Sequence, residues 1–466
     1  MPGCEILQSF DLVHWEHATY VYETLDHTDA QQLKSGHNIY GQGMWAASLR
    51  YHEGRFYICF VANDTRKTYL YTSEKIDGPW KKQLIEGFYH DGSLLFDEDG
   101  RNYIVYGNDE IWITELNEDL TAPKKDGLHR LLVSDHKNPE LGYEGSHIQK
   151  INGYYYIFLV HSLRDRWMRT EACFYSDSLE GEFTGGDVLC DDRGYCGQGV
   201  AQGGIVDTPD GKWYAMLFQD SGAVGRIPIL LPVTWKDHFP VFGQNGHVPE
   251  EIEVHSTRPG YIYQPLVGSD DFCNGLLPRW QFNHDPDPRY YHLDALQGTY
   301  TITTREVCTE LTQAVNTLTQ RMSYPSCAAE VTVDASALKE GDVAGLCALQ
   351  GCYAAVGITK HHGKYEVLML DKKEDGILDM TEGTVVESHQ MDFRLEADFC
   401  NMKDEARCYY RVNKGDWLPI GTVHKLYFKL DHFTGCRFGL FCYAAEKTGG
   451  SACFRDFKYY DVDEIS

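Results

Sequence analysis

Gly54-Arg55-Phe56-Tyr57 opens a Gly-x-x-Tyr pattern that recurs as Gly100-Arg101-Asn102-Tyr103, Gly153-Tyr154-Tyr155-Tyr156 and Gly211-Lys212-Trp213-Tyr214. Each glycine follows a short apolar run and a turn-forming stretch, which together are typical of a β-hairpin. The copies lie about 50 residues apart, the repeat length of a four-stranded β-propeller blade. The pattern predicts a β-propeller in the first half of the chain. The alternative that it leaves open is a β-sandwich of unrelated hairpins.

A second signature follows the hairpin and is typical of the two outer strands of a blade. It runs from Tyr71 to Trp80 in one unit and from Tyr175 to Phe183 in another. Residues Ser9 to Trp15 match this outer signature, and no Gly-x-x-Tyr hairpin precedes them in the sequence. The sequence therefore predicts five blades, the first of them incomplete.

One position of the repeat carries side chains suited to a sugar. Counting back nine residues from the four glycines gives Trp45, Asp91, Glu144 and Gln202. The innermost strands of a propeller start around the central channel, so residues at one repeat position are expected to meet near the axis. A tryptophan can stack on a sugar ring, an amide can bind hydroxyl groups, and two carboxyl groups can act as acid and base at a glycosidic bond.

Each of these residues also has a structural interpretation. Taken singly, Asp91 is typical of a turn, Glu144 of a solvated loop and Trp45 of core packing. What favours a functional pair is that Asp91 and Glu144 share a repeat position and are both followed by Gly-Ser and an apolar strand.

Length and composition narrow the class of protein. The 466 residues exceed what one hydrophobic core usually holds, so two domains are expected. The formal net charge of −27 repels phosphate backbones and anionic lipids, which argues against nucleic-acid and membrane-surface roles. The sequence has no export signal or membrane-spanning run, and its 15 cysteines form no C-x-x-C pair. These features predict a cytoplasmic protein with reduced core thiols.

The periodicity changes after residue 243. A polar stretch follows, and beyond it come alternating strands without the blade repeat. The predicted organisation is a propeller domain at 1–248, a linker at 249–268 and an antiparallel β-sandwich at 269–466.

These motifs together resemble glycoside hydrolase family 43, in particular its β-xylosidase and α-L-arabinofuranosidase members. The resemblance implies an all-β chain with a five-bladed propeller followed by a concanavalin-like β-sandwich, and an enzyme that hydrolyses O-glycosyl bonds with inversion. The stretches that carry it are Pro2-Gly3, Ser9–Trp15, Gly43–Ser48, Asp91–Asp97, Tyr143–His147, Ala201–Gly204 and Gly225–Pro228.

The resemblance also implies roles for single residues. Glu144 corresponds to the general acid, and Asp91 to the carboxylate that adjusts the pKa of that acid and orients it. Trp45, Gln202 and Arg226 are expected to bind substrate, although an ordinary ion pair is an equally good interpretation of Arg226.

The chemistry implied by the resemblance needs no cofactor. Relatives can hold a structural calcium between carboxylates near the two ends of the sandwich domain, which here would be Asp271 and Asp456. Such carboxylates are also common in turns.

The function implied is that of an exo-glycosidase acting on a neutral pentose oligosaccharide. It would remove terminal β-xylosyl or α-L-arabinofuranosyl residues from xylan-derived oligosaccharides. The general base of the family is an Asp on the innermost strand of the first blade, which falls upstream of Met1 here. The alternatives are therefore a catalytically impaired sugar-binding propeller and a structural scaffold. The sequence does not distinguish xylose from arabinofuranose as the substrate sugar, and it does not give the oligomeric state.

Overall fold

The computed structural model of the protein describes residues 3–381 and 383–461. Within these ranges the regular elements are β-strands and short 3-10 turns, with no α-helix. The all-β class predicted from the sequence is therefore confirmed. No helix in this part of the chain is long and apolar enough to cross a membrane. Pro2 and the last predicted residues of the sandwich domain, 462–466, lie outside the described residues.

The propeller half consists of one two-stranded sheet and four four-stranded sheets, all antiparallel and each built from consecutive strands. The two-stranded sheet pairs β1 (Gly3–Gln8) with β2 (Glu16–Tyr22). The four-stranded sheets are β3 (Ser48–His52), β4 (Arg55–Ala62), β5 (Lys67–Ser73) and β6 (Lys81–Ile85); β7 (Ser93–Phe96), β8 (Asn102–Asn108), β9 (Glu110–Leu116) and β10 (His129–Ser134); β11 (Glu144–Ile151), β12 (Tyr154–Ser162), β13 (Arg169–Ser176) and β14 (Thr184–Leu189); and β15 (Ala201–Asp207), β16 (Trp213–Asp220), β17 (Arg226–Lys236) and β18 (Phe239–Phe242).

The repeated glycine forms the turn between the first two strands of each four-stranded sheet. Gly54, Gly100, Gly153 and Gly211 have φ angles of 80°, 82°, 85° and 80°, a left-handed conformation that glycine adopts without steric cost. The predicted hairpins are confirmed, and with them a propeller-like arrangement of four blades. The predicted fifth blade is not confirmed, because the sheet of β1 and β2 has only two strands in the described chain.

Apolar side chains fill the spaces between neighbouring blades. Tyr103 and Ile113 of one blade, for example, belong to the same buried cluster as Ile148 and Ile157 of the next. The second strand of a blade is covered on both faces, which explains why β12 is an almost continuous apolar run instead of an alternating one. Inter-blade packing of this kind fixes the first strands around the channel.

Two large sheets form the second half of the chain, and the predicted β-sandwich is confirmed. One sheet has the strand order β19-β22-β32-β24-β25-β26-β27, with β28 also paired to β26, and the other has the order β20-β21-β33-β23-β29-β30-β31. Their bounds are β19 (Gln281–Phe282), β20 (Tyr291–Asp294), β21 (Thr299–Thr303), β22 (Leu318–Arg321), β23 (Ser326–Asp334), β24 (Asp342–Leu349), β25 (Ala354–His361), β26 (Lys364–Lys372), β27 (Leu378–Met380), β28 (Thr384–Val386), β29 (Gln390–Asp398), β30 (Glu405–Val412), β31 (Leu418–Lys425), β32 (Arg437–Ala444) and β33 (Ser451–Asp461).

Several parts of the sandwich contact the propeller, and one of them is the stretch of residues 430–436, which we call the interdomain loop. The backbone N–H of Cys436 donates a hydrogen bond of 2.8 Å to the carbonyl oxygen of Ala223. Gly435 has a φ of 100°, and a Cβ atom there would lie 1.9 Å from the carbonyl oxygen of Val224. Only glycine fits this approach, so the two domains are in close backbone contact.

All fifteen cysteines are free thiols, and ten of them are buried. Burial raises the pKa of several, for example that of Cys59 to about 12, so these thiols stay protonated and behave as small apolar side chains.

Candidate active site

The pairing of the strands, and not the count from the glycine, defines which residues of the blades are equivalent. Ser48, Ser93, His147 and Gly204 each pair with the fifth residue after the hairpin glycine. The positions three residues earlier are Trp45, His90, Glu144 and Ala201, and those two residues earlier are Ala46, Asp91, Gly145 and Gln202. The predicted equivalence of Trp45, Asp91, Glu144 and Gln202 is therefore wrong by one residue in two blades, because their hairpin turns are longer.

The backbone turns sharply at the second of these positions. Asp91, Gly145 and Gln202 all have a positive φ, of 48°, 67° and 63°. The strand pairing is also interrupted by bulges that follow Glu144 and Ala201. Left-handed residues other than glycine cost free energy, and bulges often redirect side chains beside active sites. This geometry marks the entry of the first strands as the candidate site.

A cluster of three side chains lies at this entry. Acceptor and donor atoms of His90, Asp91 and Glu144 are all within 4.8 Å of one another. The backbone N–H of Gly145 donates a 3.0 Å hydrogen bond to Oδ2 of Asp91, and Nδ2 of Asn108 donates a 2.9 Å hydrogen bond to Oε2 of Glu144. The structure thus brings together the two predicted carboxyl groups.

The cluster perturbs the protonation of its members. The pKa of Asp91 is raised to about 6, chiefly by burial and also by Glu144, against the opposing effects of His90, the Gly145 N–H and Arg226. Burial by itself lowers the pKa of His90, but the adjacent Glu144 and Asp91 outweigh it and raise that pKa above its ordinary value.

Trp45 forms one wall of the site. Its ring lies 5.8 Å from that of His90 and 6.0 Å from that of Phe433, which belongs to the interdomain loop. The indole Nε1 is buried and has no hydrogen-bond partner within the described residues. A cavity of about 380 Å³ opens beside Trp45 and Phe433, and its lining does not include His90, Asp91 or Glu144. The sandwich domain therefore contributes a side chain to the site.

Arg226 also lies close to Phe433. Its guanidinium carbon is 5.0 Å from the centre of the Phe433 ring and 4.4 Å from that of Phe218. Its Nε lies 3.3 Å from Oδ1 of Asp220, which also accepts a hydrogen bond of 3.1 Å at Oδ2 from Arg169. Arg226 does form an ion pair, but with a buried carboxylate next to the site.

The backbone of Gln202 is hydrogen-bonded to the buried carboxyl group of Glu171. Its backbone N–H donates a 2.7 Å hydrogen bond to Oε2 of Glu171, whose pKa burial raises well above the ordinary range. The side chain of Gln202 covers Gly145, where an added Cβ would lie 2.7 Å from its Cγ. Gln202 therefore packs directly against the chain that carries Glu144.

The carboxylates predicted to hold calcium do not form a comparable group. Oδ1 of Asp271 accepts a 2.9 Å hydrogen bond from the backbone N–H of Cys273. Within residues 3–381 and 383–461, neither Asp271 nor Asp456 belongs to a group of three or more ligating side chains. Calcium also takes backbone carbonyl and water ligands, and the calcium site stays a prediction.

Sequence reasoning missed three residues of the site. His90 precedes Asp91 directly, and alignment by strand pairing would have found it. Glu171 lies in the third strand of a blade, outside the repeat position that was counted. Phe433 comes from the other domain and has no signal in the repeat.

Comparison with known proteins gives the family. Residues 1–240 match Glycosyl hydrolases family 43, and residues 269–460 match the Beta xylosidase C-terminal Concanavalin A-like domain. The chain belongs to glycosyl hydrolase family 43. It is accordingly a glycoside hydrolase, an enzyme of O-glycosyl bonds, as the sequence predicted.

Similar family 43 proteins carry two specificities. A "Beta-xylosidase" of Formosa agariphila is 25% identical, over 99% of this chain and 84% of that protein. A "Non-reducing end alpha-L-arabinofuranosidase" of Bacteroides ovatus is 25% identical, over 64% of this chain and 58% of that protein. Among solved structures, a bifunctional GH43-CE protein of Bacteroides eggerthii is 41% identical with a TM-score of 0.91; it matches all of this chain, which spans 60% of that longer protein.

Proposed function

We propose that the protein removes terminal β-xylosyl or α-L-arabinofuranosyl residues from xylan-derived oligosaccharides, with inversion at the anomeric carbon. The observation that carries this proposal is the pairing of Glu144 with buried Asp91 at the entry of the blades, beside Trp45. The names of the similar proteins support the two pentoses.

Glu144 acts in this proposal as the general acid. Its carboxyl group gives a proton to the glycosidic oxygen while the bond from that oxygen to the anomeric carbon breaks. A water molecule attacks the anomeric carbon from the opposite face and loses a proton to a second carboxylate, the general base. The products are the free pentose and the shortened oligosaccharide.

Asp91 is too close to Glu144 to be that base. The two carboxyl groups of an inverting enzyme lie about 6.5 to 9.5 Å apart, to leave room for the water molecule. Asp91 and Glu144 offer atoms within 4.8 Å of each other. Asp91 therefore orients Glu144 through the Gly145 N–H and influences its protonation, and the base is a further carboxylate, which the family resemblance puts on the innermost strand of the first blade.

Trp45, Gln202 and Arg226 bind the substrate. The indole of Trp45 stacks on the pentose ring, and its Nε1, which has no hydrogen-bond partner in the described ranges, donates to a hydroxyl group. The amide of Gln202 and the guanidinium of Arg226 donate to hydroxyl oxygens around the same ring.

The fifth blade and the domain bounds are also part of the proposal. We infer that β1 and β2 are the outer half of a fifth blade, because they pair as the third and fourth strands of the other blades do. The propeller extends over 1–248, the linker over 249–268 and the sandwich from 269 onward.

The alternative is a propeller that binds pentose oligosaccharides without hydrolysing them. This alternative rests on the cluster taken alone, in which Asp91 lies too close to Glu144 to act as the base. Both functions use the same pocket, so the alternative also predicts sugar binding that depends on Trp45.

One experiment separates the two functions. The protein is incubated with xylobiose and with an arabinofuranosyl xylobiose, and the anomer released first is followed by proton NMR. The proposal expects α-xylose from the β-linked substrate. Tight xylobiose binding by calorimetry that Trp45→Ala abolishes, with no pentose released, would instead establish the binding function. Release of β-xylose first would contradict inversion.

A further inference from the structure

A histidine lies between the two carboxyl groups of the site and has no role in the proposed function. Nε2 of His90 is 3.6 Å from Oδ2 of Asp91 and 3.8 Å from Oε2 of Glu144. This Nε2 is buried and makes no hydrogen bond within the described residues. An unpaired buried polar atom costs free energy, and contacts of this kind often shorten when substrate binds.

The fold leaves His90 little freedom to turn elsewhere. Its carbonyl oxygen accepts a 3.0 Å hydrogen bond from the backbone N–H of Gly107, and its ring packs against Trp45. Only 19% of the side chain is exposed. The imidazole is therefore fixed with Nε2 near both carboxyl groups.

The charged groups around His90 favour its protonated form on balance. Asp91 precedes β7 and Glu144 begins β11, and both raise the pKa of His90. Arg66, in the turn between β4 and β5, and burial lower it. The net direction is upward, because the two carboxyl groups together outweigh burial and Arg66.

We propose that His90 is a positioning residue of the glycosidase reaction, whose imidazole holds the Asp91 and Glu144 carboxyl groups as a shared, positively charged partner. This proposal rests on the roles proposed above for Asp91 and Glu144. A positive charge beside a carboxyl pair favours loss of its protons, so His90 moves the working range of the enzyme to lower pH. The three groups titrate as one coupled unit.

NMR tests the contact without any need for activity. The Cε1–H signal of each histidine is followed against pH in the unmodified protein, and His90→Phe identifies the His90 signal. We expect the pKa of His90 to lie above the ordinary value of a histidine. We also expect its midpoint to fall by about one pH unit in Glu144→Gln and in Asp91→Asn. A midpoint that is unchanged in both variants would overturn the proposal.

Kinetics test the consequence. In His90→Phe, the bell-shaped profile of kcat/KM for xylobiose should move up by about one pH unit, and kcat should fall about tenfold with little change in KM. His90→Gln, which keeps a donor without the charge, should recover part of kcat and leave the profile displaced. His136→Phe is the matched control and should change neither quantity.

The NMR titration and the kinetics distinguish a failure of the role proposed for His90 from a failure of the proposed function. An active His90→Phe variant with an unmoved pH profile would contradict the role of His90. An unmodified protein that releases no pentose would contradict the proposed function, and the NMR titration would still decide whether His90 is held by the two carboxyl groups.

Discussion

Asp91 is the residue whose burial has the clearest energetic consequence. It is 5% exposed, and burial raises its pKa from the ordinary value of 3.8 to about 6. The folded protein therefore binds this proton more tightly than the unfolded chain does. The contribution of Asp91 to the free energy of unfolding must fall as the pH rises from about 4 to about 6, because the native state then has to ionise a buried group.

We expect Asp91→Asn to remove this pH-dependent loss in the free energy of unfolding. Above pH 6 the variant should have a free energy of unfolding higher by up to about 3 kcal/mol, although its activity falls. Denaturant unfolding at pH 4 and at pH 7 measures the difference. Exposed Asp177→Asn should leave both values unchanged. The difference in free energy of unfolding between Asp91→Asn and the unmodified protein should therefore be larger at pH 7 than at pH 4. An equal difference at the two pH values would show that Asp91 ionises as readily in the folded state as in the unfolded chain.

The carboxyl pair could be predicted from the sequence because both residues precede Gly-Ser and an apolar strand. Their mutual distance could not, since it depends on how neighbouring blades pack. His90 was missed for a related reason: only the strand pairing shows that it occupies the position of Glu144 in the preceding blade.

The interdomain loop is the element that completes the site from the second domain. The centre of the Phe433 ring is 6.0 Å from that of Trp45 and 5.0 Å from the guanidinium carbon of Arg226. An arginine over an aromatic face is stabilised by about 0.5 to 2 kcal/mol. Phe433 therefore holds Arg226 in place as well as narrowing the pocket.

Phe433→Ala should raise KM for xylobiose about tenfold, which corresponds to about 1.4 kcal/mol of lost binding. The effect on kcat should be smaller, because the phenyl ring of Phe433 has no polar group that could donate to the carboxyl pair. Steady-state kinetics measure both constants. Leu430→Ala, in the same loop and more than half exposed, is the matched control. Equal KM values for Phe433→Ala and Leu430→Ala would remove Phe433 from the binding site.

At this scale the sequence predicted the hairpins well and their register less well. The Gly-x-x-Tyr turn is local, and its glycine must adopt a positive φ, so four turns could be read directly. The length of each turn depends on the strand pairing on either side of it. In two blades the turn is one residue longer, and the count from the glycine therefore gives the wrong equivalent position. The interdomain loop has no local pattern that points to the propeller.

Close backbone contact is one of the interactions that join the two domains of the molecule. Gly435 approaches Val224, and an added Cβ there would lie 1.9 Å from a carbonyl oxygen. Gly225 faces the same contact, with 2.6 Å between an added Cβ and the backbone nitrogen of Gly435. Because this contact also carries Phe433 into the site, stability and activity should depend on it together.

Gly435→Ala should separate the unfolding of the two domains. Backbone clashes of this size cost several kcal/mol, so calorimetry should show two transitions in place of one, and activity should fall. Gly225→Ala should act in the same direction and is the second variant if the first fails to fold. Gly186→Ala, where an added Cβ meets no atom within 4 Å, is the control. A single transition at an unchanged temperature in both variants would show that the domains are not coupled here.

The central claim for the molecule is that Glu144 protonates the leaving oxygen. The most direct measurement compares Glu144→Gln with the unmodified protein on two substrates, xylobiose and nitrophenyl β-xyloside, with exposed Glu180→Gln as control. Xylobiose needs a proton on its leaving oxygen, whereas nitrophenolate leaves without one. The account predicts a loss of about 10² to 10⁴-fold in kcat on xylobiose and a much smaller loss on the nitrophenyl substrate. Equal losses on both substrates, or full activity on xylobiose, would contradict it.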